Sequence, residues 1–196
     1  MSYNKKRHDG VLRIHQSIYG RIAAGDLGFA LMVLVSILLI AVPWDEFSHT
    51  RFYQILVPIM GQISTNLSSI PNESKSFPEY AVAFVALLNL IGPFYLLFSV
   101  LAAQRHMDAL DKKGIALVIQ KKSGFILLLG VFAIFALVLI YSAYTFSGRS
   151  SINPELFTKE KWRFVMMFAA EWWACGFFIF GMVCLIILGQ KNWSSN

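Results

Sequence analysis

One carboxylate stands out among the residues able to do chemistry. Glu171 lies inside a stretch otherwise free of charge, residues 164–188. It follows Phe164 by two helical turns, which sets it about 10 Å below that end of the stretch at 1.5 Å per residue. An ionised acid near the middle of a lipid-embedded helix costs about 3 kcal/mol on insertion scales, so its side chain must face protein or water. Counting inward from the matching ends of the other apolar stretches reaches Ser36, Asn89 and Tyr141 at comparable depth. A polar layer of Ser36, Asn89, Tyr141 and Glu171 is therefore expected. Three roles are open to it: fixing helix register by mutual hydrogen bonding, touching a proton or substrate in transit, or meeting the transmembrane helix of a partner subunit.

Other chemistry lacks parts. The histidines, His8, His15, His49 and His106, all sit outside the apolar stretches, and none pairs with another at helical spacing, which argues against haem or metal. Cys175 and Cys184 are nine residues apart, about 900° of helix, so they face opposite ways and read as small packing residues. No serine-hydrolase elbow, phosphate-binding loop, zinc-protease pair or dinucleotide fingerprint occurs. Neither catalysis nor a cofactor is expected.

The elements that must position these residues follow from the distribution of charge. The chain is 57% hydrophobic and 14% charged, and the charges collect between four apolar stretches, residues 27–44, 80–103, 124–144 and 164–188. Helices of a soluble core seldom run so long without a polar face, and transmembrane strands need an alternation that these stretches lack. The expected fold is an all-α integral membrane protein, a four-transmembrane-helix bundle. Residues 1–26 form a cytoplasmic amphipathic segment, residues 27–189 the transmembrane domain and residues 190–196 a cytoplasmic tail. The first stretch reads as a retained anchor, because Trp44, Asp45 and Glu46 follow it where a signal peptide would carry small residues.

Basic residues set the orientation. Of the 17 lysines and arginines, eleven fall in the N-terminal segment, the second connection and the tail, and six in the first and third connections. Both termini are accordingly expected in the cytoplasm, with a bacterial inner (plasma) membrane as the site. The net charge of +6 lacks the dense basic runs of nucleic-acid binders and suits anionic lipid headgroups.

Between the stretches, Val11, Ile14, Ile18 and Ile22 mark an amphipathic helix suited to the membrane surface. The first connection carries Phe52, Ile55, Leu56, Ile59, Met60, Ile63 and Leu67 at helical spacing, a second interfacial helix bent by Pro58, before residues 64–78 return as a loop. Ile115, Ala116, Val118 and Ile119 are placed to extend the third helix, and Pro154 to start a helix leading into the fourth. Pro93 should kink the second span and orphan a carbonyl. Trp172 and Trp173 point to adjacent sides, so one of them should meet lipid or another subunit. With Phe52, Ile55, Ile59 and Ile63 they form the candidate partner surface.

The reading is a non-catalytic polytopic protein acting through contacts in the membrane, with another membrane protein or with its own copies. It would serve as an accessory subunit or as a blocker of a membrane-active protein; the alternative is a transporter or channel subunit built on the layer around Glu171. Its layout of spans is similar to that of small bacterial immunity proteins against pore-forming toxins, in arrangement alone.

Overall fold

The computed structural model describes residues 13–41, 43, 46, 48–68, 70, 77–113, 122–145 and 160–193. Val11, the return loop after residue 70, the extension at residues 115–119 and the helix start at Pro154 lie outside the described residues. The described residues are helical throughout, without a strand.

A 3₁₀ turn, Ile14–Gln16, leads into α1, Ile18–Ala24, which is capped by the Ser17 side chain accepting from Gly20 N. Gly25 breaks the helix, and α2, Asp26–Ala41, leaves at 47° to α1. Pro43 then bars continuation. Helix α3, Arg51–Ile63, starts on the Thr50 side chain, which accepts from Tyr53 N, and contains Pro58. A second 3₁₀ turn, Thr65–Ser68, follows. The long helices are α4, Pro78–Lys112, opened by a proline in its first turn; α5, Lys122–Thr145; and α6, Lys161–Trp193.

Among the described residues, three helices are long and apolar enough to cross a membrane: α4, α5 and α6. The first apolar stretch behaves differently. At 16 residues, α2 is about 24 Å long, short of a hydrocarbon core of about 30 Å. It reaches crossing length only together with α1 across the bend.

Helix α6 is the hub, packing against α1, α2, α4 and α5. It runs parallel to α4: Asn89 meets Trp172, Ala103 meets Cys184, and Lys191 pairs with Asp111. Gly92 permits this approach, since a Cβ there would overlap the Trp172 ring. Helix α5 runs the opposite way along α6, with Phe135 stacked on Phe178 and Tyr144 edge-on to Trp172. Lys113 donates to the Gln16 carbonyl, which brings the start of the described chain to the end of α4. The described termini thus share one end of the body, and α3 packs on α4 at the other.

Helix α1 runs beside α4 over the span from His106, which meets Ser17, to Tyr95, which meets Ala23. Its protein-facing side is Gly20, Ala23 and Ala24; of the isoleucine stripe, Ile18 is turned away and 60% exposed, Ile22 is half-buried and Ile14 packs on the core. Large apolar side chains are also exposed along α2, α4 and α5, among them Leu34, Leu38, Phe94, Leu97, Leu127 and Leu137. In water such a belt is unfavourable, and in lipid it is the expected surface.

Candidate functional site

The described interior carries a polar node centred on Asn89. Its Nδ2 donates to Ser64 Oγ at 2.6 Å and to the Ala143 carbonyl at 3.3 Å, and its Oδ1 accepts from Trp172 Nε1 at 3.4 Å. Local chemistry explains each partner. Ala143 lies in the last turn of α5, where carbonyls have no acceptor-to-amide closure within the helix, so Asn89 caps that helix from outside. The Asn89 backbone carbonyl would receive the amide of residue 93, but Pro93 has none. The Tyr144 hydroxyl donates to it instead, at 3.0 Å. Thr65 Oγ1 reaches the Tyr144 carbonyl at 3.5 Å. Four pieces of chain, α4, α5, α6 and the turn after α3, are therefore bolted together by groups that satisfy one another, as buried polar groups away from water must.

The expected layer is only partly assembled. Asn89 is buried as expected. Ser36 is buried too, but its hydroxyl donates to Met32 O of its own helix at 2.8 Å, the common resting place of a helical serine. Tyr141 is a correction: it is 71% exposed and faces away from the body. Counting from a helix end fixes height but not direction, and the tyrosine that turns inward is Tyr144, three residues on. Glu171 lies on the α5–α6 seam near Ser142, and no direct bond joins it to Asn89 among the described residues.

The two tryptophans differ in exposure, Trp173 being only half-buried. Trp172 is an interior residue, 4% exposed, held between Gly92, Asn89 and Tyr144. Trp173 fills the seam between α2 and α6, edge-on to Phe29 and leaning on Phe177. Its indole N–H is buried without a hydrogen-bond partner among the described residues. Phe52, Ile55, Ile59 and Ile63 are all exposed along one side of α3, while Leu56 and Met60 on another side are buried against α4. Burial, and then the nearby Glu79 carboxylate, raise the Tyr53 phenol above its ordinary value.

One residue escapes a reading by composition. His106 follows the second apolar stretch and was expected in a charged connection, yet α4 continues through it to Lys112 and it is fully buried. Its Nδ1 lies 2.6 Å from Ser17 Oγ, and its ring leans on Phe180. A Cβ on Gly20 would come within 2.8 Å of the same nitrogen, so the glycine is what lets α1 close over the ring. The signal was present in the helix-forming residues after Ala103, which carry α4 beyond the apolar run.

No group of three or more metal-ligating side chains occurs among the described residues. Fold and site together define a class: an all-helical protein whose three long apolar helices are compatible with an integral membrane protein. No protein-family model matches the chain, and no match is found among curated proteins or solved structures.

Proposed function

We propose that this chain is a four-span integral membrane protein, with both termini in the cytoplasm, that works without catalysis through contacts with other membrane proteins. The observation that carries this reading is the state of the interior. Both donors of Asn89 and its acceptor are engaged in joining helices, which supports a role for this node in packing. The fourth span draws support from geometry: Gln16 sits at the end of the body where α4 finishes, and the chain must reach the opposite end before α4 begins. The bent pair α1–α2 is the segment that makes that passage. Eleven of the 17 basic residues then fall on the side of the termini, as cytoplasmic retention requires.

Contacts would be made within the bilayer, where a partner helix reaches the outward side of α3. Purification in mild detergent tests this directly: a membrane protein should co-purify in fixed ratio, and replacing Ile55, Ile59 and Ile63 with serine should release it. A chain that purifies alone from native membranes, with full function in a reconstituted assay, sinks the proposal.

Glu171 on the α5–α6 seam favours a second reading, a transporter or channel subunit. Loss of a flux in the Glu171→Gln variant with assembly intact would establish it over the first.

A further inference from the structure

Helix α3 has three sectors. Projected at 100° per residue, Leu56 and Met60 form the side buried on α4. Ile55, Ile59 and Ile63 form a neighbouring side, 61%, 53% and 61% exposed. Arg51, Gln54 and Gln62, also exposed, form the third. A helix in water has no use for the second sector, and a helix wholly inside lipid has none for the third. Only at the boundary between acyl chains and water does each find its medium.

Height along α4 shows that the helix does not lie flat on that boundary. Ser48, just before α3, donates to Glu79 near the start of α4, whereas Ser64, at its end, accepts from Asn89. Ten residues of α4 separate those contacts, a descent of about 15 Å. Leu39 and Ile40 of α2, partly buried, pack against the cluster that holds Leu56 and Met60, while Ile37 and Leu38 beside them are exposed. The isoleucine side of α3 thus lies at the end of the body where α2 also exposes apolar residues.

We infer that α3 is a lipid-inserted wedge, slanting into the leaflet opposite the termini, with Ile55, Ile59 and Ile63 against acyl chains, the glutamine side toward water and headgroups, and its tip pinned by Ser64 on Asn89. The inference rests on the membrane reading above and names the bilayer as what covers this surface in the protein alone. A partner that enters the membrane would exchange places with those chains. The turn Thr65–Ser68 ends the descent, so α3 penetrates without crossing.

Site-directed spin labelling in vesicles of phosphatidylcholine and phosphatidylglycerol tests this. Labels are placed in Ile55→Cys, Ile59→Cys, Ile63→Cys, Gln54→Cys and, on α5, Leu137→Cys; native Cys175 and Cys184 are buried, and unlabelled-site controls account for them. The wedge requires oxygen accessibility over that of a water-soluble nickel reagent to rise from Ile55 to Ile63, with Ile63 about 7 Å deeper by its place along the slant. Gln54, at the shallow end and turned away from the isoleucines, must show the opposite preference. Equal depth at all three isoleucines describes a flat helix and overturns the inference, as does low accessibility to both reagents, which describes a second copy or another protein over the surface. Nickel preference at the isoleucines also overturns it. The Leu137 label separates the two levels of argument: oxygen preference there with none on α3 defeats the wedge alone, and nickel preference at Leu137 defeats the membrane reading with it.

Discussion

Tyr144 and Pro93 form a matched pair, one lacking an amide and the other supplying the missing proton to the same carbonyl. Removing the hydroxyl in Tyr144→Phe should cost about 1 kcal/mol, the usual worth of one internal hydrogen bond. In a Pro93→Ala background, where the amide is restored, the same change should cost close to nothing. Thermal unfolding of the four proteins in detergent gives the coupling, and equal losses in both backgrounds would dissociate the pair. The tryptophans make a second contrast. Trp172→Phe leaves Asn89 Oδ1 without its donor, whereas Trp173→Phe deletes an indole N–H that has no partner. The first should lower stability by about 1–2 kcal/mol beyond the lost ring area and the second should be near neutral. At this scale the sequence exposed Asn89, whose side chain has no other use in an apolar run. It concealed Tyr144, because two tyrosines three residues apart share a height and only packing decides which turns in.

Helix ends are where the elements of this protein carry their information. Helix α1 closes onto α4 through Gly20, so Gly20→Leu should lift it from His106. Trypsin cleavage after Arg21 in native-like detergent should then rise several-fold while the far end of the body stays protected, and unchanged cleavage would detach Gly20 from that role. The apolar runs were legible because each is a sum over many residues, and a sum survives the misplacement of any one of them. The ends were not. Composition closes the second apolar run near Ala103, but Gln104, Arg105 and Asp108 are compatible with a helix that continues beyond that run, and α4 runs on to Lys112. For the same reason the first span looked self-sufficient, although α2 reaches crossing length only with α1 beyond a glycine break.

At the level of the whole molecule the ordering of the two ends makes a topological prediction. Reporters fused to the N and C termini should both read as cytoplasmic, while a reporter inserted near Ser48 should read as translocated. Opposite readings at the two termini would mean that α1–α2 enters and leaves by the same side. The node on Asn89 has one more consequence, in time rather than space. Ser64 meets Asn89 only 25 residues further along the chain, but Ala143, Tyr144 and Trp172, which hold Asn89 in place, are synthesised much later. Contacts between such distant parts of a chain form late. Helix α3 can therefore pack on α4 early, while the lock beneath its tip closes only when α5 and α6 have arrived, so a chain stopped short of α6 should hold α3 loosely.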